Sequence, residues 1–316
     1  MKVGVIGAGS MGEKHVRTYT SLSNYCEFVG IYDKNKGRAR EIEDKYQIKR
    51  FDSITELLKE VDIVSIAVPT EFHYEVGLAC INHNVHMLME KPITSTVEQA
   101  KDLISKANQA NIKIQVGHIE LYNPMVKLLK NILMDEKIIS IEMHRMNPYD
   151  SRVLNVDVIH DLMIHDIYIL EHLLNDEMTN FYAMGKVIDN TVKHATLTTQ
   201  WKNGIIAQMT ASFKSVKKTR TIEVITEKTY IKADLLAGKI EIVRLPEQYM
   251  KQDSTFYFPS ISKEIIEIPY SDPLKVEIID FINCVKNNDV PLVNGHQGIE
   301  ILTICNKASN FIKKFT

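Results

Sequence analysis

The sequence predicts an α/β protein: an N-terminal doubly wound parallel sheet, followed by an α+β domain on a largely antiparallel open sheet. Three observations carry this expectation. Strand and helix patterns alternate over the first 120 residues, a glycine-rich turn follows the first strand, and beyond His118 strand patterns succeed one another without helices between them.

Short apolar runs rich in Val and Ile stand at 2–6, 28–32, 63–68, 86–89 and 112–116, the pattern of strands covered on both faces. Charged segments with helical spacing lie between them, among them 34–46, 72–82 and 97–108. Such alternation calls for parallel strands joined by right-handed crossovers. After His118 the spacing predicts helices over 124–134 and 157–174 around a strand at 138–145. Strands then follow at 181–188, 194–201, 205–213, 221–225, 230–234 and 240–243, with a polar, aromatic loop at 246–259 and closing helices at 272–287 and 298–315. The expected domains are 1–120 and 121–316, with the closing helices available to pack back on the first.

At 316 residues the chain suits two domains of ordinary size, and with 45% hydrophobic residues it can bury a large core in each. Lys and Arg number 38 against 40 Asp and Glu, so no basic field exists to hold nucleic acid. The four cysteines, Cys26, Cys80, Cys284 and Cys305, form no CxxC and read as buried reduced thiols, with neither a disulfide framework nor a metal site. Met1-Lys2 runs directly into the first strand, with no leader pattern and no long apolar span. A cytoplasmic protein with no membrane partner is expected.

The turn Gly7-Ala8-Gly9-Ser10-Met11-Gly12 is a GxGxxG that follows a strand and opens a helix. Its glycines permit a tight turn and close approach of a pyrophosphate to the backbone, the signature of a Rossmann domain, although small residues also cluster in other strand-to-helix turns. About twenty residues on, the second strand ends at Asp33, where a carboxylate accepts ribose hydroxyls and repels a 2′-phosphate. Asp33 therefore favours NAD over NADP. The plainer alternative is that Asp33 only caps the next helix, and Lys34 and Lys36 pull toward a phosphate. Two further strands end in Val68-Pro69-Thr70 and Glu90-Lys91-Pro92, at the sheet edge where open α/β sheets bind ligands. Lys91 is thus placed for chemistry, or is simply a solvated strand-end lysine.

Within the second domain, DVIHDLMIHDIYILEHLL is apolar enough to be buried, yet Asp157, Asp161 and His165 recur every four residues and are expected on one face. Asp161 and His165 can be a self-satisfied core pair, or an acid/base with its orienting carboxylate. A metal is disfavoured because no further His or Cys cluster completes a shell. Tyr182 and Lys186 match a YxxxK motif, but in a strand-like segment where that spacing loses its meaning.

Together VGVIGAGSMGEKH, Asp33, IAVPTEFH, MEKPI and DLMIHDI resemble, in order and spacing, the glucose-fructose oxidoreductase, inositol dehydrogenase and MocA family. The resemblance spans essentially the whole chain. It implies an NAD-dependent oxidation of a secondary sugar hydroxyl to a ketone, with Lys91, Asp161 and His165 facing the nicotinamide. It also implies cofactor contacts from Gly7, Gly9, Ser10, Met11, Gly12, Asp33, Val68, Pro69, Thr70, His73, Glu90 and Lys91. In VGHIELYNP and RVLNVDVIHDLMIHDI the chain is further similar to the branch containing UDP-N-acetylglucosamine 3-dehydrogenases, which implies substrate contacts from His118 and Asn123. It departs from that branch at Leu121, where an Arg is usual, and at Met163, where a small residue is usual. Arg145 and Arg152, close to the helix in sequence, are candidates for a diphosphate or other substrate anion, or for surface salt bridges. The competing readings are a free-polyol dehydrogenase and a dinucleotide-binding regulator without turnover; assembly as a homodimer or homotetramer is expected.

Overall fold

In the computed structural model, described over residues 1–150, 153–244, 262–269 and 271–315, the chain forms two compact units. Met1–Tyr122 and Asp272–Thr303 make the first, and Asn123–Ser271 and Ile304–Thr316 the second.

The first unit opens with β1 (Lys2–Ile6), α1 (Ser10–Thr20), β2 (Glu27–Tyr32), α2 (Lys36–Tyr46), the short α3 (Ile54–Leu58), β3 (Ile63–Ile66), α4 (His73–Asn82), β4 (His86–Glu90), α5 (Val97–Gln109) and β5 (Ile114–Gly117). All pairings are parallel, in the order β2-β1-β3-β4-β5. Every residue of β3 and β5 is buried, which is why these strands read as unbroken apolar runs. The helices between them begin at side chains that accept from the first turn: Asn35 for α2, Ser53 for α3 and Thr96 for α5. α5 then buries Ala100, Leu103, Ile104 and Ala107, spaced three and four apart. Strand order reverses at β1 and β3, so a crevice opens beyond their carboxyl ends.

The second unit contains α6 (Pro124–Leu133), β6 (Ile138–Pro148), a π-helical turn at Ile159–Met163, α7 (Ile164–Leu174), β7 (Met178–Ile188), β8 (Thr191–Trp201), β9 (Ile206–Ser215), β10 (Thr219–Thr226), β11 (Thr229–Asp234), β12 (Lys239–Arg244) and β13 (Ser262–Glu267). The sheet order is β13-β12-β11-β10-β6-β9-β8-β7, antiparallel except for the β6–β9 pair. Alternation sorts its faces: Ile141, Met143, Leu197, Met209, Phe213 and Val224 point into the core beneath the π-turn. Trp201 is buried with them, its indole N–H donating to Thr199 Oγ1 at 3.0 Å.

The strand at 262–267 is not expected from sequence; it is an edge strand, charged and mostly exposed, so it lacks a buried face to reveal it. Tyr182 and Lys186 both lie in β7, a strand, as the segment's pattern implies. The expected loop at 246–259 lies outside the described residues. The chain ends in α8 (Pro273–Asn287) and α9 (Gly295–Lys314). Leu274, Ile278, Phe281 and Ile282 of α8 complete the core built by Val3, Val5, Val16, Tyr19 and Leu22 in the first unit. No helix among the described residues is long and apolar enough to cross a membrane.

Candidate active site

The glycine turn is shaped by contacts that exclude side chains. Gly7 has φ +100°, and a Cβ there would lie 2.6 Å from the Ala67 carbonyl; a Cβ on Gly12 would lie 1.9 Å from the Gly7 carbonyl. At Gly9 nothing stands within 4 Å of the Cβ position, so that side of the turn is open space. α1 starts from Gly9 with no side-chain cap, and only at Glu13 does its first amide bond back to the Gly9 carbonyl, at 2.9 Å. The amides of Ser10, Met11 and Gly12 therefore suit an anion such as a diphosphate.

Asp33 accepts from the Ala8 amide at 2.5 Å and the Asn35 amide at 2.7 Å. The helix-cap alternative is overturned, because α2 is capped by Asn35, whose side chain accepts from the Arg38 amide. Each Asp33 oxygen keeps a second lone pair for a ribose hydroxyl. Arg38 also lines this region, but its guanidinium is held by Glu13, Glu41 and the Ala8 carbonyl. Lys45, Arg38 and Tyr46 hold Glu13 at a pKa of about 2, against the opposing effect of burial. Gly7, Gly9, Asp33, Arg38, Val68 and Pro69 line one cleft of about 880 Å³. An open glycine and a strand-end carboxylate in one cleft, next in sequence to the uncapped amides that open α1, match the donors and acceptors a dinucleotide requires.

Farther along the sheet edge, Thr70 begins a short turn into α4, whose first residue is His73. The His73 ring is buried, with Nδ1 2.9 Å from the Pro92 carbonyl and Nε2 3.0 Å from the Val68 carbonyl. It ties the turn after β3 to the turn after β4. Burial pushes its pKa down, against the pull of those two carbonyls and Glu90.

Glu90 ends β4 with Oε1 3.0 Å from His15 Nε2 and packed against Gly117, where a Cβ would come within 3.2 Å of it. Lys91 is half-buried, and its peptide bond to Pro92 is cis. His118 is buried; burial and then the Lys91 charge hold its pKa well below the usual histidine range. Glu277 of α8 is fully buried, and burial, Glu90 and Asp280 raise its pKa well above the carboxylate range. Neither His15 nor Glu277 was singled out from sequence, although Glu277 is the one acid on the buried stripe of α8.

In the second unit Asp157, Asp161 and His165 all keep partial exposure. A π-turn over Ile159–Met163 interrupts the α-helical repeat, and Asp157 is drawn into other contacts. Its Oδ1 accepts from the Ile159 amide at 2.9 Å and its Oδ2 from Ser309 Oγ at 2.7 Å. Burial works to raise its pKa, but His160 and Ser309 hold it at about 2. His160 turns to Asn306, 2.8 Å away. From Val158 to Leu170, only His160, Asp161 and His165 keep partial exposure.

Asn123 caps α6, its side chain accepting from the Met125 amide at 3.0 Å. Arg145 is buried, with Nε 2.7 Å from Asp166 Oδ1, so its charge is balanced inside the unit. Arg152 lies outside the described residues. Leu121 and Met163, the two departures from the branch pattern, are both buried. Among the described residues no group of three or more His, Cys, Asp and Glu can hold a metal ion, and the four cysteines are buried.

Residues 1–118 match the model of an oxidoreductase family with an NAD-binding Rossmann fold, and residues 138–232 match the GFO/IDH/MocA C-terminal domain. UDP-N-acetylglucosamine 3-dehydrogenase of Acidithiobacillus ferrooxidans is 30% identical over 96% of this chain and 94% of that protein. A solved structure of that dehydrogenase superposes with a TM-score of 0.91 at 28% identity, covering 100% of this chain and 98% of the other. Myo-inositol 2-dehydrogenase of Thermotoga maritima is 25% identical over 94% of this chain and 92% of its own length. The chain belongs to the GFO/IDH/MocA family of NAD-binding oxidoreductases.

Proposed function

We propose that the protein oxidises a secondary sugar hydroxyl to a ketone, at C3 of a UDP-linked N-acetylhexosamine. The observation that carries the chemistry is the partial exposure of Asp161 and His165 on a segment otherwise buried from Val158 to Leu170, apart from His160. A core pair would be sealed in; a pair that must meet a substrate must be reachable. Bound NAD supplies the hydride acceptor, and Gly7, Gly9, Gly12 and Asp33 hold its diphosphate and ribose. His165 takes the hydroxyl proton, Asp161 orients the imidazole, and Lys91 donates a hydrogen bond to the oxygen as negative charge develops. His118, neutral beside Lys91, adds no competing positive charge there.

The choice of sugar rests on the full-length similarity to a UDP-N-acetylglucosamine 3-dehydrogenase. One observation favours a second reading, a free polyol: Arg145, a candidate for the substrate anion, is already paired with Asp166. NADH formation with UDP-N-acetylglucosamine, UDP-N-acetylgalactosamine, glucose and myo-inositol separates the two. Turnover of inositol alone would retire the nucleotide sugar, and tight NAD binding with turnover of none would point to a regulator. Assembly as a homodimer or homotetramer belongs to the same reading and is measured by analytical ultracentrifugation.

A further inference from the structure

Lys193 of β8 is only 2% exposed. Its ammonium donates to three main-chain carbonyls: Val153 at 2.7 Å, Leu154 at 2.7 Å and Val156 at 2.9 Å. An ammonium has three N–H donors, and here one short segment takes all of them. That segment is a turn, closed by the Val156 amide on the Val153 carbonyl at 3.1 Å, and it runs straight into Asp157 and the π-turn that carries Asp161.

The sheet is built to deliver this side chain. Pairing between β7 and β8 slips by one residue, from Lys186 opposite His194 to Val187 opposite Val192, and Lys193 is left facing no partner strand residue. The bulge puts Val192 and Lys193, neighbours in sequence, both among the buried residues, where a regular strand would send one outward. Bulges re-aim side chains in this way. Burial opposes the charge, Asp157 and Asp189 favour it, Lys214 disfavours it, and the Phe213 ring lies 5.9 Å from the ammonium. The three carbonyls supply the short-range compensation that a buried charge requires.

We propose that Lys193 is a positioning residue, which clamps residues 153–156 and thereby fixes the entry of the segment bearing Asp161 and His165. The entry is then held from two sides, by Lys193 on the carbonyls and by Ser309 on the Asp157 carboxylate. The inference rests on the acid/base reading of His165 for its effect on turnover; the clamp itself does not. A compact tetrahedral donor suits three convergent carbonyls, whereas the planar guanidinium of arginine keeps the charge but fits them less closely.

The test compares the unmodified protein with Lys193→Met and Lys193→Arg by amide hydrogen exchange, sugar-dependent turnover and NAD affinity. Faster exchange over 153–165 is expected in the methionine variant. Its kcat should fall by roughly 10²-fold, the effect of about 1 Å of misplacement, with NAD affinity unchanged; arginine should restore part of both. Unaltered exchange over 153–165 in Lys193→Met overturns the clamp. Faster exchange with unaltered kcat overturns the positioning role. Faster exchange in a protein that turns over no sugar even unmodified upholds the clamp and rejects the enzymatic reading instead. If Lys193→Met does not fold, Lys193→Gln, which keeps two N–H donors without charge, carries the same comparison.

Discussion

Replacing Arg145 by methionine separates a fold-supporting charge from a substrate-binding one. Arg145 Nε lies 2.7 Å from Asp166 Oδ1, and each side chain is 3% exposed. Methionine keeps much of the buried stem but withdraws the positive charge from a carboxylate that has almost no water around it. Breaking a buried ion pair from one side costs about 3–5 kcal/mol. In a domain of this size each kcal/mol moves Tm by roughly 2–4 °C, so Arg145→Met should melt about 6–20 °C lower. The double variant Arg145→Met, Asp166→Leu removes both charges and should recover most of that loss, because a well-packed apolar pair often replaces a buried ion pair without penalty. Thermal melts by circular dichroism and KM for the sugar on the folded fraction make the measurement. A normal Tm accompanied by a raised KM would refute the reasoning and return Arg145 to the substrate.

Among further expectations, His165→Ala and Lys91→Ala should each lower kcat by about 10² to 10⁴ with NAD affinity nearly unchanged; near-normal kcat in folded His165→Ala removes it from the mechanism. The unmodified protein should bind NAD more tightly than NADP, and Asp33→Ala should narrow that preference by about tenfold or more, the worth of one charge-assisted hydrogen bond; equilibrium binding by fluorescence reports it, and tighter NADP binding by the unmodified protein defeats the assignment. Glu13 is held at about 2 against its ordinary 4.5, so its stabilising contribution is complete above 4.5 and drains away as pH falls toward 2. Melts across that window should show a smaller acid loss for Glu13→Gln, and parallel curves would show that Glu13 contributes nothing.

What was legible in the sequence follows from where the physics is local. The turn from Gly7 to Gly12 could be read because its constraint is steric and acts within a few residues, and β3 and β5 because burial on both faces leaves an unbroken apolar run. The π-turn could not be read, since the same residues serve either hydrogen-bond ladder and the sequence shows only a spacing of four. The ion pair of Arg145 with Asp166 joins a strand to a helix 21 positions away, and His15 meets Glu90 across 75. Such pairings are fixed by packing, and a single sequence carries no record of it. β13 escaped notice for the opposite reason: an exposed edge strand has no buried stripe to betray it.

The return of α8 to the first unit sets a schedule for synthesis. When residues 1–122 have left the ribosome, all five parallel strands exist, yet the face over Val3, Val16 and Tyr19 still lacks the layer that Ile278, Phe281 and Ile282 supply. About 150 further residues must be made first, which at 5–20 residues per second takes roughly 8–30 s. During that interval the nucleotide-binding half carries an uncovered apolar surface while the second unit is still emerging. The half that begins the chain therefore finishes folding only after most of the rest has been made, and a ribosome stalled before residue 272 would release it with that surface bare.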